Sequence, residues 1–400
     1  MPRLTCQTAG ESHGPGMLAY VHAFPAGVRA DVEFINAELR RRQGGYGRGA
    51  RQRIEEDAVE FLAGVRQGRT TGAPVALFVK NNDSRLDDPV KTPPLTRPRP
   101  GHADLAGAVK WLTTDCRNTL ERASARETAA RTAAGALARC LLREFGIEAF
   151  AFVRSVLNVS TDVECTTQNW TSLRTARDGS SVYCPDEQAT AKMEEAIRQA
   201  KIDQDTLGGL VECHVFGCPI GLGSCAHWAD KLDARLGGSV MSIQAIKSVE
   251  IGMGREVAAR RGSNVHDPIR FDRALAESKS PTLGFARDSN NAGGLEGGMT
   301  NGQPIVVRAA MKPISTLLKG LPSVDLSTRQ AQQSQYERSD VCAVSACSVV
   351  VENVIAFEIA SAFLEKFGGD SLEEIAQNHR AFMDAARSLP LDPPARGPVA

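Results

Sequence analysis

The apolar stretches of this chain follow two periods that do not alternate regularly, and that mixture limits the folds open to it. Stretches at 18–23, 75–79, 210–215 and 305–310 are alternating or continuously apolar and predict strands. Those at 31–42, 189–201, 226–236, 348–367 and 372–388 carry helical spacing. Ser124 with Glu127 three residues on matches a capping box, followed by an Ala-rich helix that runs to Phe145 and is closed by Gly146. No βαβ rhythm emerges, so the expected class is α+β rather than a doubly wound sheet. Residues 82–101, with five prolines, and 267–302, rich in Gly and Asn, read as long loops of the kind that carry function or stay disordered. Residues 1–388 are expected to form one unit and 389–400 a flexible tail.

Composition excludes several functions. The 47 basic and 47 acidic side chains cancel, so bulk charge cannot hold nucleic acid and any anion site must be a local Arg cluster. The apolar run at 349–363 contains Glu352 and Glu358, too polar for a bilayer. The first residues lack a signal core, which predicts a cytosolic protein with reduced thiols. Ten cysteines include no Cys-x-x-Cys pair, so no metal site is expected.

Several segments bear candidate chemistry. Gly10-Glu-Ser-His13-Gly14 matches the form of a nucleophile elbow, but residue 12 leaves room for at most one earlier strand, and the elbow needs a sheet. What remains is a His between glycines, structural or functional. Six Arg (40, 41, 42, 48, 51 and 53) share fourteen residues with four Gly and a Tyr. This reads as an RNA-contacting segment, a solvated face, or a loop gripping a small polyanion through bidentate guanidinium pairs. The counter-charge in Glu55, Glu56 and Asp57 modestly favours the small anion. His102 follows a rigid Pro-Gly turn and, taken alone, reads as a hydrogen-bonded loop residue. Residues 121–128 read as a helix start, where Arg122 and Arg126 would flank an anion seat. The glycines at 290–302 match neither a P-loop nor a dinucleotide fingerprint. Lys312-Pro-Ile-Ser-Thr316 reads as a phosphate holder or a strand end, and Asp340 as a functional carboxylate or a helix cap.

Taken together and in order, these segments resemble the chorismate synthase family. The resemblance rests on GESHGPGMLAYVHAFPAG, ERASARETAARTAAGAL and RSDVCAVSACSVVVENV, with RPRPGHADLAGAVK, MSIQAIKSVEIGMG and NNAGGLEGGMTNGQPIVVRAAMKPISTL between them. It covers Thr8 to about Gly368, departing at Ser345, commonly proline, and Gln52, commonly methionine. It implies one large α+β domain with a helical layer between antiparallel sheets, assembled as a homotetramer. The implied reaction is 1,4-elimination of phosphate from 5-enolpyruvylshikimate 3-phosphate, giving chorismate, with reduced FMN required but no net redox change. By the same resemblance His13 protonates the departing phosphate, His102 protonates or orients the reduced flavin, and Asp340 assists a proton relay. By their own charge Arg42, Arg48, Arg51, Arg99 and Arg126 are expected to hold such a polyanionic substrate, while the family associates Arg42 and Arg48 with NADPH. FMN is assigned to Arg122, Ala123, Ser124, Gln244, Ala245, Gly297, Lys312, Pro313, Ile314, Ser315, Thr316 and Arg338. A flavin reductase activity using NADPH and an RNA-binding role for the Arg/Gly segment are the alternative readings.

Overall fold

The computed structural model describes residues 3–49, 55–337 and 339–389. Arg51, Gln52, Arg53 and Arg338 therefore lie outside the described residues, as does nearly all of the expected tail.

Two antiparallel sheets form the outer layers. The first consists of β1 (Thr5–Ala9), β2 (Gly16–His22), β3 (Val59–Ala63) and β4 (Val75–Lys80), in the order β1-β2-β4-β3. Its inner face follows from the period of two: Met17, Ala19 and Val21 on β2 and Val75, Leu77 and Val79 on β4 are buried, while Tyr20 between them is exposed. The second sheet contains β5 (Glu148–Val156), β6 (Val159–Ser160), β7 (Gly209–Phe216), β8 (Ile246–Ile251) and β9 (Ile305–Met311), ordered β8-β9-β7-β5-β6. Cys213 on β7 faces Ala151 and Val307 across the two ladders.

Helices fill the space between. The Thr128–Arg143 helix packs on the first sheet, the Val344–Phe367 helix on the second, and the two lie against each other. Their approach is close because Gly135 has no side chain, and the backbone of Asn353 occupies the place a Cβ would take. Six buried alanines along the first helix keep that contact tight. By length and composition the Val344–Phe367 helix could cross a membrane, yet it is enclosed by protein, with Glu352 inside. The Val32–Gln43 helix completes the layer, capped by Asp31, whose carboxylate accepts from the N–H of Phe34.

Most expected elements appear within a few residues, with three corrections. The expected helix at 226–236 divides into a short turn at Trp228–Asp230 and a helix at Leu232–Met241, because Lys231 is extended between them. Ser124 caps only the 3-10 turn Ala125–Glu127, and Glu127 does not reach back to it but bonds Thr8 and Gln244. Residues 267–302 are not one loop: they contain the strand pair Ile269–Phe271 and Phe285–Arg287, the helix Arg273–Glu277 and a tight hairpin at Leu295–Thr300.

Candidate active site

A cavity of about 610 Å³ opens where the loops at one end of these elements meet. The turn after β1 brings Ser12 and His13, and the Val32–Gln43 helix delivers Arg42 from its last turn. Arg48 and Gly49 follow from the glycine loop, Arg85, Arg99 and His102 from the proline-rich loop. The end of β9 contributes Met311 to Thr316, and the start of the Val344–Phe367 helix forms an apolar wall of Ala343, Ala346, Cys347 and Val350. Burial pushes the Cys347 thiol up to about 12, so it stays a neutral part of that wall.

Four of these cations are braced by neighbouring groups. Asp57 receives Arg42 Nη2 at 2.7 Å and Arg126 Nη1 at 2.6 Å. Burial works against that carboxylate's charge, but the two guanidinium groups hold it below the ordinary aspartate range. Arg126 also donates to Asn81 and to the carbonyl of Lys80. Arg99 grips Asp104 through Nε at 2.8 Å and Nη2 at 3.0 Å, and its Nη1 reaches Thr316 at 3.0 Å. Lys312 donates to the carbonyl of Gly101. Such bracing sets the direction of each donor before an anion arrives, which lowers the ordering cost of binding.

Both histidines have a buried carboxylate at Nδ1. His13 Nδ1 lies 3.0 Å from each oxygen of Glu121, and His102 Nδ1 lies 2.5 Å from Asp104. A carboxylate this close assigns the proton to Nδ1, leaving Nε2 for exchange with a ligand. The Arg99 Nη2 contact with His102 Nδ1 at 3.0 Å then sets donor against donor, and the Asp104 bonds carry the arrangement. Asp340 does not cap the following helix, which begins at Val344 without a side-chain cap. Its oxygens accept instead from Arg48 Nη1 at 2.5 Å and from the N–H of Gly49 at 2.6 Å. A side chain at position 49 would press on the carbonyl of Ser339 at 2.9 Å, so the approach needs glycine.

Of the residues singled out in the sequence, His13, His102, Asp340, Arg42, Arg48, Arg99, Arg126, Ala123, Ser124, Gln244, Ala245 and Lys312 through Thr316 line this cavity. Arg122 does not: it donates to the carbonyl and hydroxyl of Thr8 and faces a neighbouring cavity, which it shares with Gln244. Gly297 turns the Leu295–Thr300 hairpin and is not among the lining residues. The departure at Ser345 leaves the helix start intact, its hydroxyl donating to the carbonyl of Val182 at 3.0 Å. Sequence reasoning missed Arg85, hidden in a loop read for its prolines, and the carboxylates Glu121 and Asp104, quoted within motifs but given no role.

Six cationic side chains and two histidines around an apolar-walled cavity define an enzyme for a small molecule bearing several negative charges. Comparison with known proteins specifies it. A family model described as chorismate synthase matches residues 4–364. The chorismate synthase of Geobacter metallireducens is 50% identical over 394 residues, covering 96% of this chain and 99% of the relative. That of Desulforamulus reducens is 51% identical, covering 92% and 95%. A crystal structure of chorismate synthase superposes with a TM-score of 0.78 at 37% identity, covering 97% of this chain and all of that one. The chain belongs to the chorismate synthase family. Its activity is that of a lyase of the shikimate pathway, serving aromatic amino acid biosynthesis.

Proposed function

We propose that this cavity binds 5-enolpyruvylshikimate 3-phosphate together with reduced FMN and releases phosphate by anti-1,4-elimination to leave chorismate. The observation that carries the proposal is the set of braced cations on one cavity with two histidines whose Nδ1 atoms are fixed by buried carboxylates. A substrate with one phosphate and two carboxylates needs such a surround. The residues present also fit a flavin nucleotide. The apolar wall from Ala343 to Val350 suits a flat ring, and Lys312 with Ser315 and Thr316 suits a phosphate. Gln244 Oε1 is buried without a partner among the described residues, an acceptor that a ring imide N–H can satisfy. When bound, reduced FMN supplies transient electron density that weakens the bond to the leaving phosphate, with no net redox change.

Within that reading Arg42, Arg48, Arg99 and Arg126 hold substrate, and His13 delivers a proton from Nε2 to the departing phosphate. His102 holds a proton toward the cofactor ring, and Asp340 accepts one once Arg48 turns to the substrate. Ala123, Ser124, Ala245, Pro313 and Ile314 frame the flavin, Arg51 is assigned from the charge of its loop, and Arg122, Gly297 and Arg338 are assigned by family resemblance alone. We also assign to the chain one domain over residues 1–388, a homotetrameric assembly and a cytoplasmic setting, on the same resemblance.

An anaerobic assay with chemically reduced FMN and substrate tests the proposal, followed by NADPH in place of the chemical reductant. Chorismate in the first arm is expected, and its absence with folded protein overturns the reading. Chorismate in the second arm adds a flavin reductase activity, in which Arg42 and Arg48 are the candidates for holding NADPH.

A further inference from the structure

We propose that Glu121 is the positioning residue for the proton donor, fixing the tautomer of His13 and aiming its Nε2 into the cavity. The inference rests on the reading of His13 as the acid that protonates the departing phosphate. Glu121 sits on the short Arg117–Ala123 helix with its side chain wholly buried. It holds His13 at three points. Both carboxylate oxygens lie 3.0 Å from Nδ1, and one of them also accepts from the His13 backbone N–H at 2.8 Å. The carbonyl of Glu121 accepts from the N–H of Ser12 at 3.1 Å, so one residue grips both the ring and the turn that carries it.

Other groups face the ring from the opposite side. Arg85 Nη2 lies 3.4 Å and Asp83 Oδ2 3.8 Å from Nε2, both from the proline-rich loop, and Arg85 is paired with Asp83 at 3.2 Å. Arg117 approaches Glu121 at 3.7 Å from one turn earlier. The guanidinium at Nε2 favours an unprotonated nitrogen there, while the carboxylates favour a charged ring. Among the described residues, only Glu121 bonds Nδ1. Burial opposes its charge, but the bonds from His13 hold it below the ordinary glutamate range, so it stays a carboxylate through the working pH. A fixed proton on Nδ1 leaves Nε2 as the atom that gives up a proton and takes it back.

Glu121→Gln keeps the size and one acceptor but removes the charge, and its amide can turn either an oxygen or an NH2 toward Nδ1. We expect turnover to fall about tenfold or more with KM little changed, since a misdirected acid is felt in the reaction and not in binding. The alkaline limb of the pH–rate profile should move, because a charge within 4 Å of the ring is lost. Nitrogen-15 NMR of the histidine rings, without substrate or flavin, reads the tautomer directly. The neutral His13 ring of the wild type should carry its proton on Nδ1, and the variant should show a mixture. A wild-type ring protonated on Nε2 would overturn the assignment, even if the variant failed to fold. A variant that loses the tautomer preference yet keeps its pH profile would show that His13 is not the acid. In the His13→Ala background, Glu121→Gln should lower turnover no further, and a full additional loss would place the role of Glu121 elsewhere.

Discussion

Arg41 and Arg42 are neighbours in the chain, yet they belong to two charge clusters with different purposes. Arg41 points into the helical layer, where Glu352 accepts from Arg41 at 2.8 Å, Arg139 at 2.8 Å and Arg177 at 2.9 Å. Glu38 joins them through Arg41 at 2.6 Å, Arg139 at 2.8 Å and Asn353 at 2.9 Å. Burial resists the charge on Glu352, and the three guanidinium groups hold it far below the ordinary range. Arg42 instead shares Asp57 with Arg126 and lines open space. Both clusters are buried and both are paired, so pairing does not separate them. The difference is an open face: the first cluster is surrounded by protein, and the second keeps donors turned to a cavity.

That contrast can be broken by measurement. The largest effect should come from His13→Ala, which lowers turnover of the folded protein by about 10² to 10⁴. Raised pH should slow the wild type and not the variant. Kinetics across pH check this, and wild-type turnover in the variant would move the acid elsewhere. In the helical layer the sign reverses. Glu352→Ala leaves three guanidinium groups without their shared carboxylate and should cost about 3–5 kcal/mol in denaturant unfolding. The folded fraction should bind FMN as before. A stable but inactive variant would merge the two clusters into one functional unit.

Smaller effects sharpen the cavity side. Arg48→Ala should weaken substrate binding by about 1.5–3 kcal/mol, the worth of a hydrogen bond to a charged group, with little change in FMN affinity. Titrations with each ligand decide, and lost FMN with unaltered substrate would reassign the glycine loop. Asp57→Asn should destabilise the protein at neutral pH and converge on the wild type in acid. Because the carboxyl of Asp57 is held below its unfolded value, its stabilisation is full above about pH 4 and disappears as pH falls through the folded value. The melting temperature of the variant should therefore fall less steeply than that of the wild type below that pH.

The fold class and most of the cavity were legible because the signals were local: period-two strands, Ala-rich helical runs, and motifs in a fixed order. The bracing was less so. Asp57 was readable as counter-charge to the Arg segment, but not as a bridge to Arg126, which is 69 residues away. Glu121 looked like part of a helix start, whereas the Arg117–Ala123 helix ends two residues later and the next begins at Thr128. Its partner His13 lies 108 residues earlier, and no spacing rule links them. Asp340 carried two readings, and the Arg48 contact that removes the cap crosses 292 residues. Arg41 and Arg42 differ only in the direction they leave one helical turn, which the run of three arginines conceals.

The Val344–Phe367 helix also imposes an order on biosynthesis. It covers inner faces of the Thr128–Arg143 helix and the second sheet, so neither can be sealed until it has left the ribosome. At about 5–20 residues per second, the interval between the two helices is about 10–40 s. During that time the alanine-rich face that packs on the later helix lacks its partner, and the nascent chain must be shielded by a holding factor or tolerate the exposure. Closure then comes as one late event near the end of translation, so a truncation before residue 344 should yield insoluble polypeptide and not a smaller folded body.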